Sequence, residues 1–148
     1  MPHQTKSPVI QFHFQQAGFH LSDRTLLKSF INQLFKAEKR MLEDLQYIFC
    51  TDRYLLTINR QFLQHDFYTD IISFDLSEKG QAVRGEIYIS IDRVRENAVQ
   101  FKSSFKRELH RVLFHGALHL CGYKDKTLQE QQLMRKMEEK YLLLYFKE

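Results

Sequence analysis

Residues 115–125, HGALHLCGYKD, carry the most informative pattern in the chain. Two of them, His115 and His119, are four positions apart, so both imidazoles leave the same face of a helix. Apolar residues lie around them, and Gly122 suits the left-handed conformation that ends many helices. The chain can then turn back and bring Asp125 toward the two rings. This arrangement predicts a metal site with two imidazoles, one carboxylate and an open position, as in catalytic zinc centres.

A histidine pair at helical spacing also has a plainer explanation. The chain contains 7 histidines, so such pairs arise by chance, and both rings could be ordinary hydrogen-bonded core or surface residues. The glycine after the helix, the acidic residue at a suitable distance and the apolar surroundings favour the metal site over that explanation.

Two further segments come before this stretch. Asn59 is followed by residues 69–74, TDIISF, and then by residues 85–90, GEIYIS. Together with His-Gly-x-Leu-His-Leu-x-Gly-Tyr, they resemble the signature of the YbeY family of bacterial metal-dependent endoribonucleases. The resemblance runs from Asn59 to Asp125. It implies a hydrolase that cleaves single-stranded RNA in 16S rRNA 3′ end maturation, ribosome biogenesis and rRNA quality control.

The resemblance also implies a cofactor and partners. The cofactor is one Zn²⁺ per chain, or another divalent ion, with His115, His119 and Asp125 as its ligands. The implied partners are single-stranded RNA, including rRNA, and the small ribosomal subunit with its assembly factors. Neither DNA nor a membrane is expected as a partner.

The chain departs from the family pattern at two positions. The third metal ligand, usually histidine, is Asp125, which adds negative charge at the metal. We expect it to make bound water a weaker acid and to shift metal preference toward harder ions. The family's arginine six residues before the Thr-Asp pair is Leu63 here. Arg60, near one helical turn away, is the candidate to replace it.

Phosphodiester cleavage needs a cation for the charge that develops on the phosphate. We assign this role to Arg60, with Arg84 and Arg111 as weaker candidates, and we expect Asn59 to position the RNA backbone. Arg111 also shares a helical stripe with Glu108 and the first metal histidine. Glu108 and Arg111 either orient the ring of His115 or form a plain intrahelical ion pair with each other.

The general base is not identified by a motif. Zinc peptidases carry a glutamate directly after the first histidine, but that position is Gly116 here. Glu108, Glu86 and Asp70 are candidates only if the fold brings one of them near the metal.

Two other functions remain open. A hydrolase of another substrate, such as a peptidase-like enzyme, would use the same ligand layout. A non-catalytic assembly factor would use the metal only to hold the C-terminal helices together, and the altered third ligand favours this alternative.

Composition limits the class of protein. A chain of 148 residues is expected to form one domain, residues 1–148, with a core that needs no disulfides. Its net charge of +4 permits a phosphate-bearing partner without requiring one. Two separated cysteines, Cys50 and Cys121, favour a reducing cytoplasm, and Cys121 is expected to be buried and to point away from the metal. We expect neither a signal peptide nor a membrane span.

The order of apolar patterns predicts an α+β fold. We expect a small mixed sheet of about four strands, covered on one side by helices, with the metal-bearing helix central as in metalloproteases. Strands are predicted at residues 8–14, 45–50, 70–76 and 83–91, the last two as a hairpin. Helices are predicted to begin at the N-caps Ser22, Thr51, Asp92, Ser103 or Ser104, and Thr127, the last with a capping box.

Three local predictions complete the interpretation. Gly85 indicates a bulge or a close approach within the fourth strand. The last helix is expected to bury Leu133, Met137 and Leu144 and to expose Glu138, Glu139 and Lys140. The loop side chains of His65, Phe67 and Tyr68 could stack on unpaired bases, although structural aromatics are the commoner case.

Overall fold

The computed structural model describes residues 7–65 and 68–148. Along these residues the elements are β1 (Val9–Gln15), α1 (Arg24–Ala37), β2 (Leu42–Cys50), α2 (Asp52–Leu63), β3 (Ile71–Asp75), β4 (Val83–Ser90), α3 (Ile91–Gln100), α4 (Phe105–Leu120) and α5 (Leu128–Phe146). The strands form a mixed sheet in the order β1-β2-β4-β3. β2 is parallel to β1 and β4, and β3 is antiparallel to β4 at the edge. The predicted α+β class, four strands and hairpin are confirmed, although β2 begins at Leu42 rather than at residue 45.

The two faces of the sheet are covered differently, because alternate side chains point to opposite faces. Ile87 is fully buried in the main core, which also contains residues from α1, α4 and α5. On the other face, Ile72 packs against Leu55 of α2. Near β1 that second face is polar, and His13 and Gln46 are hydrogen bonded there at 2.6 Å. The prediction of helices on one side was therefore wrong for α2.

α4 lies across the sheet and contacts α1, α3, α5, β3 and β4, as expected for a central helix. Gly116 makes the close approach possible. A Cβ there would lie 2.9 Å from two side-chain atoms of Ile87 and 3.1 Å from Ile71. A Cβ at Gly85 would likewise lie 2.6 Å from Cδ1 of Leu120, which confirms the close-approach interpretation of that glycine.

Three of the predicted N-caps are confirmed. The side-chain oxygens of Thr51 and Ser104 accept hydrogen bonds from backbone N–H groups three residues later, at the starts of α2 and α4. Thr127 and Glu130 form the predicted capping box at the start of α5. Each of these bonds closes within one turn, so local sequence is sufficient to specify it.

Two predicted caps were wrong because tertiary packing sets the start of the helix. Asp23, not Ser22, is the N-cap of α1, with a φ of 57° and no side-chain capping bond. The preceding Leu21 is 2% exposed, so its burial fixes how the chain enters this helix. Ser90, not Asp92, caps α3. The Asp92 carboxylate instead accepts a hydrogen bond from the backbone N–H of Asp52, at 2.8 Å.

The predicted faces of α5 were only partly right. Glu139 and Lys140 are exposed and Met137 packs against the core, as predicted, but the other three assignments were wrong. Glu138 is 3% exposed, whereas Leu133 and Leu144 are 49% and 57% exposed. The buried face consists of Met134, Glu138, Tyr141 and Leu142. A carboxylate in this face is stable only if it is paired, because burial of an unpaired charge is strongly unfavourable.

Within the described ranges 7–65 and 68–148, no helix has both the length and the apolar character needed to cross a bilayer. Cys50 and Cys121 are free thiols. Cys50 is buried, but Cys121 is only half-buried, which corrects the expectation that it would be enclosed.

Candidate metal centre

The C-terminal turn of α4 directs the chain back toward the helix. Gly122 has a φ of 108°, and Tyr123 N–H donates to the carbonyl of Leu118 at 3.1 Å. The Tyr123 hydroxyl donates to Glu38 at 2.6 Å, and the Tyr141 hydroxyl donates to the same carboxylate. The returning segment is thereby tied to the end of α1 and to α5.

This return brings Asp125 to the two histidines. Its Oδ2 atom lies 3.3 Å from Nε2 of His115 and 3.2 Å from Nε2 of His119. The two rings are 4.8 Å apart between centroids and inclined at 72°. One potential ligand atom from each of the three side chains lies within 4.8 Å of the others. The three residues that the sequence singled out as ligands are thus neighbours in the fold.

The donor set and its spacing suit a divalent cation. Ligand atoms bound to tetrahedral zinc at about 2.0–2.1 Å are about 3.3–3.4 Å apart, close to the two nitrogen–oxygen distances here. The side chains of His115, His119 and Asp125 are 15%, 29% and 39% exposed, so one side of the group is open to solvent. An ion held there keeps a coordination position accessible.

Behind His115 lies a buried ionic network at the contact of α4 with α5. Nδ1 of His115 is 2.6 Å from Oε2 of Glu138. Arg111 donates from Nη1 to Oε1 of Glu138 and from Nε to both oxygens of Glu108, all at 2.9 Å. Glu108 and Glu138 are each 3% exposed, so their carboxylates depend on these partners.

The ionised form of Glu138 is the favoured one. Burial acts to raise its pKa, but the hydrogen bond from His115 and the charge of Arg111 outweigh burial and hold the pKa below its ordinary value. Because a carboxylate can only accept, Nδ1 of His115 is the donor. The neutral imidazole then has its lone pair on Nε2, on the side of Asp125.

Glu138 is the residue that sequence reasoning missed. It lies four residues after Met134 and three before Tyr141, within the apolar stripe of α5. A charged residue within an apolar stripe could have predicted that Glu138 is buried and paired with another charge. The Glu108–Arg111 ion pair, in contrast, was foreseen as one of two alternatives and is present. The role of Glu108 as general base stays a prediction.

Asn59 and Arg60 lie on α2, which packs against β3, β4 and α3. Asn59 is 1% exposed, and its carbonyl accepts hydrogen bonds from the backbone N–H groups of Gln64 and His65 where α2 ends. Arg60 is exposed. Both belong to the helix on the opposite face of the sheet from α4, with edge strand β3 packed against both helices. Their proposed contacts with RNA stay predictions.

The other candidate groups have structural partners. Arg84 lies 3.9 Å from Glu43 in an exposed ion pair. Glu86 accepts a hydrogen bond from Tyr88 at 3.0 Å, and Asp70 accepts one from Asn97 at 3.4 Å. Catalytic roles for these three residues stay predictions.

Among residues 7–65 and 68–148, the group of potential ligands consists of His115, His119 and Asp125 and does not include Cys121. Burial, and then the nearby charge of Glu38, raise the pKa of Cys121 to about 12, so the thiol stays protonated near neutral pH.

The aromatic loop is described only in part. Tyr68 is 50% exposed, and the Arg93 guanidinium carbon lies 5.1 Å from its ring centroid. His65 is exposed. Phe67 lies outside the described residues. Stacking of this loop on bases stays a prediction.

Comparisons with known proteins give the same family for nearly the whole chain. The sequence model of the family described as Endoribonuclease YbeY matches residues 11–145. Proteins named Endoribonuclease YbeY from Cytophaga hutchinsonii and Christiangramia forsetii are 49% and 46% identical to it. The first alignment covers 94% of this chain and 97% of the relative, and the second covers 89% and 92%.

A solved structure shares the fold over most of the chain. The solution structure of TM1509 from Thermotoga maritima superposes with a TM-score of 0.58 at 26% identity. The match covers 92% of this chain and 89% of that protein. Since the matches extend well beyond the three short segments that first suggested it, the chain belongs to the YbeY family of endoribonucleases.

Proposed function

We propose that this protein is a metal-dependent endoribonuclease that cleaves single-stranded RNA. The observation that carries the proposal is the group of His115, His119 and Asp125, in which one carboxylate oxygen lies 3.3 and 3.2 Å from the two Nε2 atoms. Family membership supports the RNA phosphodiester as the bond that is hydrolysed, because the relatives are named endoribonucleases.

His115, His119 and Asp125 would hold one Zn²⁺, or another divalent ion, per chain. Such an ion lowers the pKa of a bound water and polarises a phosphoryl group. Asp125 adds a negative charge that a third histidine would not bring, and a carboxylate oxygen is a ligand that harder ions accept readily.

The exposure of the three proposed ligands indicates the side from which RNA approaches the metal group. His119 and Asp125 are more exposed than His115, so RNA reaches the group from their side. Arg60 remains the candidate cation for the phosphate charge, and Asn59 the candidate to position the backbone. Gly116 packs on Ile87 and offers no proton acceptor, so the peptidase alternative lacks its usual base.

We further propose rRNA as the substrate, in maturation of the 16S rRNA 3′ end, with the small ribosomal subunit and its assembly factors as partners. The net charge of +4 is compatible with a partner rich in phosphate. Association with the subunit would be checked by co-sedimentation of the purified protein with isolated small subunits.

The direct test compares three purified proteins on single-stranded and duplex RNA: wild type, His119→Ala and His20→Ala. His20 is an exposed histidine in the loop before α1 and serves as the matched control. We expect wild type and His20→Ala to cleave single-stranded RNA, and His119→Ala to be slower by more than about 100-fold. Equal cleavage by wild type and His119→Ala would refute the proposal.

A further inference from the structure

A charged network buried between α4 and α5 ends on one of the proposed ligands. Two carboxylates, Glu108 and Glu138, share the single guanidinium of Arg111. The second oxygen of Glu138 is directed at Nδ1 of His115, at 2.6 Å. The side chains of Glu138 and Arg111 are only 4% and 17% exposed, so solvent screens these contacts weakly.

We propose that Glu138 is the positioning residue of the metal site. By accepting a hydrogen bond from the Nδ1–H group of His115, it fixes the tautomer and the direction of the ring, so that Nε2 presents its lone pair beside Oδ2 of Asp125. This inference rests on the proposed function, in that it takes His115 as a metal ligand. An ionised acceptor also makes the imidazole a stronger electron donor than a free ring would be.

Arg111 and Glu108 act on His115 through Glu138. Arg111 holds Oε1 of Glu138 at 2.9 Å, which leaves Oε2 for the histidine. Glu108 in turn accepts from Nε of Arg111 at 2.9 Å and fixes the plane of the guanidinium. Both oxygens of the Glu138 carboxylate are therefore engaged, one by Arg111 and the other by His115.

Helix α5 carries Glu138 and begins close to Asp125 in the chain. Its capping box at Thr127 and Glu130 begins two residues after Asp125, and its buried face carries Glu138. One helix thus sets the position of the third ligand at its start and the orientation of the first ligand from its middle.

The main experiment measures zinc affinity by competition with a chromophoric chelator, with Zn²⁺ alone as the probe. We expect Glu138→Gln to bind zinc about 10- to 100-fold more weakly than wild type. Glu139→Gln is the matched control, because Glu139 is adjacent but exposed and pairs with Arg107. We expect it to bind zinc as wild type does. Wild-type affinity in Glu138→Gln would overturn the role of Glu138.

A measurement on wild type covers the case in which Glu138→Gln does not fold. In the zinc-loaded, ¹⁵N-histidine-labelled protein, we expect nuclear magnetic resonance to show His115 protonated at Nδ1 and metal-bound at Nε2. Binding through Nδ1 would overturn the inference. Failure of wild type to bind zinc or any other divalent ion would instead overturn the proposed function, so the two failures are distinguishable.

The indirect action of Arg111 on His115, through Glu138, has a separate test. If Arg111 acts on the metal only through Glu138, then the double variant Arg111→Met, Glu138→Gln should lose no more zinc affinity than Glu138→Gln alone. A further loss of zinc affinity in the double variant, relative to Glu138→Gln, would show that Arg111 acts on the metal by another route. It would overturn the action of Arg111 through Glu138. The visible spectrum of the Co²⁺-loaded variants reports a change of ligand geometry in the same samples.

Discussion

Asp125 supplies the one carboxylate in the group of three potential ligands. We expect Asp125→His to raise the affinity for Zn²⁺ relative to Mn²⁺, because a neutral nitrogen replaces a charged oxygen and softer ions favour nitrogen. Competition titrations with the two ions measure the ratio. Asp125→Asn is the control, since it removes the charge without adding a nitrogen ligand and should weaken both ions. An unchanged ratio in Asp125→His would show that Asp125 does not contact the ion.

His110 makes the free energy of unfolding depend on pH. It is 1% exposed, its Nδ1 is 2.7 Å from the carbonyl of Lys106, and its ring stacks on Tyr145. Burial lowers its pKa below the ordinary value of 6.5. Protonation therefore favours the unfolded state, where the pKa is ordinary. The stability contributed by neutral His110 is complete above that value and decreases as the pH falls below it.

Urea unfolding at several pH values checks this effect. Between pH 6.5 and the lowered pKa, stability should fall by up to about 1.4 kcal/mol per pH unit more in wild type than in His110→Phe. The phenylalanine keeps the ring packing but does not titrate. Parallel pH profiles for the two proteins would contradict the assignment.

Single residues were predictable where their partners are near in sequence. His115, His119 and Asp125 meet because helical spacing and a glycine stop act within eleven residues. The contact of His115 with Glu138 spans 23 residues and depends on how α5 packs on α4. Hydrophobic patterning assigned that glutamate to solvent, because the pattern carries no information about its buried partners.

At the scale of elements, some helix N-caps are set by local sequence and others by tertiary packing. Thr127 accepts from Glu130 N–H at 3.1 Å, and the Glu130 carboxylate accepts from Thr127 N–H at 2.8 Å. We expect Thr127→Ala to lower the free energy of unfolding by about 1 kcal/mol. Ser22→Ala, at the predicted cap that the structure does not use, should change it by less than about 0.5 kcal/mol. Denaturant titration compares them, and equal effects would contradict the assigned caps.

Gly116 sets the distance between α4 and the sheet. A methyl group at this position would lie 2.9 Å from Cδ1 and Cγ2 of Ile87. We expect Gly116→Ala to destabilise the protein by about 1–3 kcal/mol through overpacking, which outweighs the better helix propensity of alanine. The second variant, Gly116→Ala with Ile87→Val, removes one of the crowding atoms. Thermal unfolding should show partial recovery; its absence would mean that the strain lies elsewhere.

At the scale of the whole molecule, the sequence predicted the number of strands, the β3–β4 hairpin and the central position of α4, but not the full strand order. Alternating apolar residues located the strands because each has a face in the core. The strand order and the position of α2 on the second face depend on long-range packing, which periodicity does not encode. Asn59 and Arg60 are predicted from motif position alone, so their distance from the metal group was outside the reach of sequence.

The position of Glu138 on α5, after the proposed ligands in the chain, has a consequence for biosynthesis. Glu138 is translated after His115, His119 and Asp125, so a nascent chain possesses all three ligands before it possesses the carboxylate that orients the first of them. Until α5 docks on α4, His115 lacks this acceptor at Nδ1, and we expect any ion bound there to exchange more quickly. We therefore expect the proposed site to be complete only late in the folding of each new molecule, after α5 has packed on α4.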